Sequence, residues 1–235
     1  MKSIEGLASI VIAVDGPSGA GKSTVSKAVA EKLGLVYIDT GAMYRAVALK
    51  AKRAKVPFKD DKMLEGIAKG CSISFKKVDD DNRTILDGED VSEAIRTPEI
   101  SLFTSRVSAV PGVRKALVVL QRAMGKTGGV IMDGRDVGTV IFPDTPFKFF
   151  IDASLEIRGK RRHLELKEKG ADIADETSTI KEMAERDDVD SSREESPLVR
   201  ADDAVYIDTS PMTQEEVAVQ IGQLVCEILE KEGRA

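Results

Sequence analysis

One segment near the N-terminus, Gly16-Pro17-Ser18-Gly19-Ala20-Gly21-Lys22-Ser23, limits the possible folds more than any other feature of the sequence. It fits the pattern G-x-x-x-x-G-K-[ST] and follows a continuous apolar run from Ile10 to Val14. The residues after it have the spacing of an amphipathic helix, with apolar side chains at Val25, Ala28, Val29 and Leu33. Glycines at this spacing let backbone N–H groups surround an anion, and the start of the helix adds a favourable partial charge. The segment therefore predicts a phosphate-binding loop between a buried strand and a helix.

The residues of this loop predict how a nucleotide and its metal ion would be held. We expect the backbone of residues 16–24 to contact the phosphates and Lys22 to reach the β- and γ-phosphates. Ser23 or Thr24 would supply a hydroxyl near Mg²⁺. A glycine-rich turn without a ligand is the alternative interpretation of the same residues. The guanine-binding tetrapeptide Asn-Lys-x-Asp does not occur in the sequence, which argues against a GTPase.

Four more short apolar runs each end at an acidic residue, namely Asp39, Asp133, Asp152 and Asp208. Such runs are typical of strands buried on both faces of a parallel sheet, whose carboxyl ends form a polar, ligand-binding edge. Helical patterns lie between the runs, and one of them places Val113, Leu117, Leu120 and Met124 on one face. Strands that alternate with helices predict an α/β fold with a parallel core of five strands.

Two stretches interrupt this alternation. From Cys71 to Val91, apolar and polar residues alternate on either side of a polar turn, Asp79-Asp80-Asp81-Asn82, which predicts a small antiparallel hairpin inserted between helices. The segment 154–193 is highly charged and has almost no long apolar run. It predicts a helical surface segment that has few core contacts and is therefore able to move.

Composition excludes several classes of protein. The chain has 235 residues, a formal net charge of −5 and 32% charged residues, which is a globular balance without the basic excess of a nucleic-acid-coating protein. Cys71 and Cys226 lie far apart and only one histidine could join them, so we expect no structural zinc and a reducing cytoplasm. No apolar run approaches the roughly 20 residues of a membrane span. We therefore expect a cytoplasmic protein with no nucleic-acid or membrane partner.

Three arginine-containing stretches lie after predicted strands or at the end of the charged segment: Asp39–Arg45, Asp133–Thr139 and Arg186–Arg193. Arg186 and Arg193 are seven residues apart, so on one continuous helix they would share a face. Each stretch alone could be a solvated charge run or a salt-bridge cluster. Taken together, they favour a small cationic pocket to which several separate loops contribute.

Together with the phosphate loop, these stretches closely resemble the bacterial cytidylate kinases over nearly the whole chain. The matching motifs are G-P-S-G-A-G-K-S-T, D-T-G-A-M-Y-R, E-D-V-S-E-A-I-R, D-G-R-D-V-G-T-V-I-F-P-D and E-R-D-x-x-D-x-x-R, together with the insert at 71–91. The D-G-R-D-x-G-T motif and the insert are specific to that family, whereas the phosphate loop is widespread. The resemblance implies transfer of the γ-phosphoryl group of ATP to CMP or dCMP, with Mg²⁺ present, to give ADP and CDP or dCDP.

The resemblance also implies roles for individual residues. It implies a clamp on the acceptor phosphate and the transferring group, formed by Arg45, Arg135, Arg186 and Arg193, with Thr40 nearby as a further substrate-binding residue. Lys22, Arg135, Arg186 and Arg193 would be the catalytic residues. Asp190, helped by Arg186, would hold the sugar hydroxyls, and cytosine would be read by Ser105, Arg114 and Asp136. Arg158 and Arg161 would close over ATP, although the choice among Arg158, Arg161 and Arg162 stays open.

The implied architecture is a three-layer fold of the P-loop NTPase type with a helical lid. Its core would comprise residues 1–39, 104–153 and 194–235. A nucleoside-monophosphate-binding domain would comprise residues 40–103, including the hairpin insert, and the lid residues 154–193. We expect the protein to be a monomer.

The chemistry of the residues fits this assignment. Phosphoryl transfer depends on positioning and charge stabilisation, and a phosphomonoester with a second pKa of about 6 is already mostly dianionic at pH 7. Asp136 can accept a hydrogen bond from the cytosine amine, while Arg114 can donate to N3 and O2. Uracil has a carbonyl in place of that amine, so we expect CMP to be preferred over UMP. Asp133, at the end of a buried strand, is a candidate for holding Mg²⁺ and its waters.

Two other functions stay open at this stage. A different small-molecule P-loop kinase, acting on UMP, AMP or a metabolite such as shikimate or gluconate, would use the same phosphate loop, although the insert and D-G-R-D argue against it. A non-catalytic ATP-binding switch or scaffold would instead use the arginines to bind a partner.

Overall fold

The computed structural model describes residues 5–78, 81–168 and 175–233. The chain forms two compact units, one of residues 1–37 and 127–235 and the other of residues 38–126. The strands are β1 (Val11–Asp15), β2 (Val36–Asp39), β3 (Ile73–Val78), β4 (Asp81–Leu86), β5 (Glu89–Asp90), β6 (Val130–Gly134), β7 (Lys148–Asp152) and β8 (Val205–Asp208). The helices are α1 (Lys22–Leu33), α2 (Thr40–Arg53), α3 (Asp61–Lys69), α4 (Pro98–Ser108), α5 (Pro111–Gly125), α6 (Leu155–Glu168), α7 (Glu176–Ser191) and α8 (Gln214–Lys231).

A five-stranded sheet has the order β2-β6-β1-β7-β8, and the first unit contains β1, β6, β7, β8 and the start of β2. Strand β1 pairs in parallel with β6 and β7, and β7 pairs in parallel with β8. Ile12, Ala13 and Val14 in the central strand are fully buried, which explains why the run is apolar without alternation. All five predicted strands are present, so the predicted α/β fold with a parallel core is confirmed.

Helices pack against this sheet and against each other. Helix α1 packs against α8, and α6 packs against α7. Gly34 is the C-cap of α1 with a φ of 68°, because glycine adopts this left-handed conformation without steric cost. Thr213 and Glu216 form a capping box at the start of α8. Among the described residues, none of the helices combines the length and the apolar character that crossing a membrane requires.

The second unit consists of α2 to α5 and a small sheet in the order β3-β4-β5. Its apolar core includes Met43, Leu64, Ile95 and Leu117, all of them fully buried. The predicted hairpin is present, since β3 and β4 are antiparallel with Ile73 opposite Leu86. The short strand β5 adds a third member that the sequence did not predict. Of the predicted turn at 79–82, residues 81 and 82 belong to β4, and residues 79 and 80 lie outside the described residues.

The grouping of the helices into units bears on the expected domains. Helices α4 and α5 belong to the second unit, whereas α6 and α7, the expected lid, belong to the first. The division into a core, a monophosphate-binding domain and a lid is defined by ligand roles, and it stays a prediction.

Candidate active site

The phosphate loop joins β1 to α1 within the first unit. Gly16 has a φ of 147°, and a Cβ at this position would lie 1.9 Å from the Ile151 carbonyl oxygen, so only glycine fits here. Gly21 is the N-cap of α1 and has no side chain that could accept from the first turn of the helix. The N–H groups at this helix start can therefore be satisfied by an anion, and the loop fits a polyphosphate.

Lys22 begins α1, and its side chain is only 7% exposed. Its Nζ donates a hydrogen bond of 2.6 Å to the Pro17 carbonyl oxygen, so the side chain folds back along the loop. Burial and the positive charge of Arg135 lower the pKa of Lys22 to about 7. A bound phosphate would oppose both effects, because a negative charge favours the protonated amine.

Ser23 and Asp133, the two expected metal ligands, lie together. The Ser23 hydroxyl donates to Asp133 Oδ2 over 2.7 Å, and the Tyr37 hydroxyl donates to Asp133 Oδ1 over 3.2 Å. Asp133 is buried at the end of β6. One carboxylate beside a hydroxyl fits a Mg²⁺ ion that keeps several waters and binds substrate phosphates.

Asp190 is buried near the end of α7 among arginines. Its carboxylate accepts from Arg135 Nε over 2.9 Å and pairs with the Arg193 guanidinium. Burial raises its pKa, but the charges of Arg135, Arg193 and Arg186 outweigh burial, and the pKa is lower than usual. Arg186 and Arg193 do not lie on one continuous helix, because α7 ends at Ser191 and Arg193 follows it, so the shared face that their spacing would give does not form. Arg193 instead reaches Asp190 from the turn beyond the helix.

The three arginines of α6 differ in their surroundings. Arg158 is buried, with Nη1 donating to the Ser18 carbonyl oxygen (3.1 Å) and to Asp187 (2.5 Å). Arg161 donates to Thr209, whose hydroxyl lies 3.1 Å from the Ala20 carbonyl oxygen. Arg162 pairs with Glu165 on its own helix. Arg158 and Arg161 are therefore connected to the phosphate loop, whereas the Arg162 contact is within α6.

In the second unit, Asp39 holds the start of α2 in place. One of its oxygens accepts from the Ala42 backbone N–H over 2.8 Å, and the other pairs with Arg45 over 2.8 Å. Thr40 is buried at the first position of the same helix. Arg45 is therefore oriented by a carboxylate that is itself fixed by the helix start.

The two predicted base-reading residues of the second unit lie on successive helices. Arg114, on α5, is buried, donates to the Ser108 carbonyl oxygen over 3.1 Å and lies over the Tyr44 ring at 5.3 Å. Ser105, on α4, is half-buried, and its carbonyl oxygen accepts from the Ser108 hydroxyl. The Arg114 side chain is thus fixed by a carbonyl and an aromatic face.

Four residues of the first unit were missed by sequence reasoning: Asp15, Tyr37, Asp187 and Thr209. Tyr37 binds Asp133, Asp187 pairs with Arg158, and Thr209 contacts both the phosphate loop and Arg161. Asp15 accepts from the backbone of the loop that carries Arg135 and Asp136. Asp15 directly precedes the phosphate-loop motif, and Asp187 lies within E-R-D-x-x-D-x-x-R, so their positions beside or inside these motifs could have identified them. No sequence pattern marks Tyr37 or Thr209.

The fold and the site define a class. A parallel sheet whose central strand leads through a glycine-rich loop into a helix, with a buried lysine at the helix start, is the architecture of the P-loop nucleotide-binding proteins. A solved structure of an uncharacterised protein from Eubacterium ventriosum has a related fold, with a TM-score of 0.53 at 14% identity, covering 93% of this chain and 99% of the other.

Sequence comparisons identify the family. The family model described as cytidylate kinase matches residues 12–227. A cytidylate kinase from Syntrophotalea carbinolica is 52% identical over 218 residues, which are 93% of this chain and 92% of the relative. One from Geobacter sulfurreducens is 50% identical over 226 residues, 96% of each chain. The chain therefore belongs to the cytidylate kinase family, and the predicted family and the prediction that this is a kinase are confirmed.

Proposed function

We propose that this protein transfers the γ-phosphoryl group of ATP to CMP or dCMP and releases ADP with CDP or dCDP. The observation that carries the proposal is a charge network beside the phosphate loop, in which Lys22 and Asp190 are buried and Arg135 and Arg186 are half-buried. The positive charges of Arg135 and Arg186 act on both Lys22 and Asp190, so the loop lysine and the acidic residue of the charged segment share one electrostatic environment. Phosphoryl transfer requires this concentration of cationic groups, because charge develops on the peripheral oxygens.

In this proposal, ATP binds along residues 16–24 with its phosphates at the start of α1. Arg158 and Arg161 support the binding, since Arg158 contacts the Ser18 carbonyl and Arg161 is joined to Ala20 through Thr209. Ser23 and Asp133 would hold Mg²⁺, which supplies charge neutralisation for the phosphates when bound. Closure of the lid would exclude water and limit hydrolysis of ATP.

The acceptor would be held by three sets of residues. Thr40 and Arg45, with Arg135, Arg186 and Arg193, would clamp its phosphate. Asp190, fixed by two arginines, would accept from the sugar hydroxyls. Ser105, Arg114 and Asp136 would read the cytosine edge. The acceptor phosphate is the nucleophile and is already anionic, so no side chain needs to remove a proton.

The free thiols of Cys71 and Cys226 support a reducing compartment, and we propose that the enzyme acts in the cytoplasm as a monomer. Its partners in this proposal are two small nucleotides.

A coupled assay of ADP release tests the proposed function. The purified protein is supplied with ATP and Mg²⁺ and with CMP, dCMP, UMP, AMP or no acceptor. We expect the highest kcat/KM with CMP and dCMP, a lower value with UMP, and little release without an acceptor. Turnover with AMP alone would overturn the assignment, and no turnover with any acceptor would favour a non-catalytic ATP-binding role.

Asp136→Asn should narrow the preference for CMP over UMP. Asp136 is 3% exposed, so it can select a base without competition from bulk water. An amide can donate to the uracil carbonyl where the carboxylate repels it, and we expect the CMP/UMP ratio of kcat/KM to fall about tenfold or more. Asp144→Asn is the matched control, because Asp144 is exposed in the same segment of chain. An unchanged ratio in Asp136→Asn would contradict the role of Asp136.

A further inference from the structure

Asp15 is a buried carboxylate for which the proposed chemistry has no use. It is the last residue of β1, directly before the phosphate loop, and is 5% exposed. Its side chain does not point along the phosphate loop. Oδ1 accepts from the Val137 backbone N–H over 2.8 Å, and Oδ2 accepts from the Gly138 N–H over 2.7 Å.

These two bonds fix a loop that carries proposed substrate-binding residues. Strand β6 pairs with β1 so that Gly134 lies opposite Asp15. The chain then leaves the sheet at Arg135 and Asp136 and forms a short helical turn over Val137–Ile141. The Asp15 carboxylate holds the first two residues of that turn. It therefore sets where the preceding two residues, Arg135 and Asp136, leave the sheet.

The energetics favour a specific role over simple burial. Burial raises the pKa of Asp15 to about 7, although the two backbone N–H groups lower it, so the charged form is costly to keep here. Aspartate is the side chain of this size that offers two acceptor oxygens at once. An apolar residue would leave the two buried N–H groups of Val137 and Gly138 without an acceptor. An asparagine would accept from only one of them and would place its own NH2 donor against the other.

We infer that Asp15 is the positioning residue for the acceptor-binding loop: its carboxylate orients Arg135 toward Asp190 and Asp136 toward the base of the nucleoside monophosphate. This inference rests on the proposed function and extends it to a residue that contacts no substrate. Strand β1 then has two roles. Its backbone leads into the ATP-binding loop, and the side chain of its last residue, Asp15, positions the loop that binds the acceptor.

Asp15→Asn tests the inference, with kcat and KM measured for CMP, UMP and ATP. We expect KM for CMP to rise about tenfold and the CMP/UMP ratio of kcat/KM to fall about tenfold, since one buried N–H loses its acceptor. KM for ATP should rise less than KM for CMP, because the backbone of β1 and the ATP loop is unchanged, although asparagine lacks the negative charge through which Asp15 acts on Lys22. A residue that only stabilises the fold would lower the melting temperature and the active fraction but leave both KM values and the ratio unchanged.

Gly138→Ala is a second variant that keeps the Asp15 charge. A Cβ at Gly138 would lie 3.3 Å from Asp15 Oδ2 and 3.2 Å from Lys148 Cγ, so it presses on the same contact from the loop side. Gly138→Ala should also raise KM for CMP and lower the CMP/UMP ratio of kcat/KM, by smaller factors than Asp15→Asn. If Asp15→Asn does not fold, these measurements on Gly138→Ala test the inference. Thr145→Val is the control for stability, because it removes a bond to the Val11 carbonyl at the other end of β1.

The outcomes separate this inference from the proposed function. A wild-type protein without turnover of CMP would overturn the proposed function and the inference with it. A wild type that prefers CMP, with Asp15→Asn and Gly138→Ala unchanged in KM for CMP and in the CMP/UMP ratio, would overturn the inference alone. A rise in KM for ATP with no change for CMP would instead assign Asp15 to the ATP loop.

Discussion

Lys22→Met is expected to reduce kcat by about 10³-fold, with a higher KM for ATP, because it removes the buried cation of the phosphate loop. Lys22 is 7% exposed, so no solvent ion readily replaces its charge. Its Nζ bonds to the Pro17 carbonyl, which places the ammonium within the loop. Steady-state kinetics with ATP and CMP measure the effect.

Lys27→Met is the matched control, because Lys27 is exposed on the same helix and its loss changes the net charge equally. A second readout of Lys22 comes from proton linkage. Since burial and the charge of Arg135 lower the pKa of Lys22, part of the amine is neutral near pH 7 to 8, and bound phosphate should raise the pKa again. ATP binding should therefore take up protons, and the number taken up should increase from pH 6 to pH 8.

Calorimetry in buffers of different ionisation enthalpy measures this uptake. It should be absent in Lys22→Met and retained in Lys27→Met. Equal uptake by the wild type and Lys22→Met would show that another group takes the proton, and a kcat within a few-fold of wild type would contradict the role of Lys22.

Much of the fold could be predicted because local sequence determines it. The runs that become β2, β7 and β8 end at Asp39, Asp152 and Asp208 as expected. Burial on both faces explains the apolar run of the inner strand β7, whereas the edge strand β8 leaves Tyr206 48% exposed and was not buried as its run predicted. The phosphate loop could also be predicted, because its glycines are required by backbone geometry at Gly16 and by the helix start at Gly21.

The contacts that complete the site could not be predicted in the same way. Asp15 binds residues 137 and 138, which lie far along the chain, and only the pairing of β1 with β6 brings them together. The periodicity of α6 does not distinguish Arg158 from Arg162, because the inward face is decided by the packing of α6 against α7. The end of α7 at Ser191 likewise separated Arg193 from the helix that its spacing suggested.

Arg186→Ala is expected to reduce kcat by about 10³-fold with a smaller change in KM for CMP, because an arginine that stabilises the transferring group contributes mainly in the transition state. Arg186 is half-buried on α7. Its positive charge acts on both Lys22 and Asp190, so it lies close enough to influence the phosphate loop and the proposed sugar site together. Single-turnover kinetics with CMP separate the chemical step from product release.

Two further variants make the result specific. Arg162→Ala removes an arginine from the same charged segment, but one that pairs with Glu165 on its own helix, and its kcat should stay near the wild-type value. Arg186→Lys keeps the charge and loses the planar donor pair, so it should recover only part of the lost rate. If Arg186→Ala and Arg162→Ala had equal kcat values, Arg186 would be only a surface charge of α7, and the proposed phosphate clamp would have to be assigned to Arg135 and Arg193.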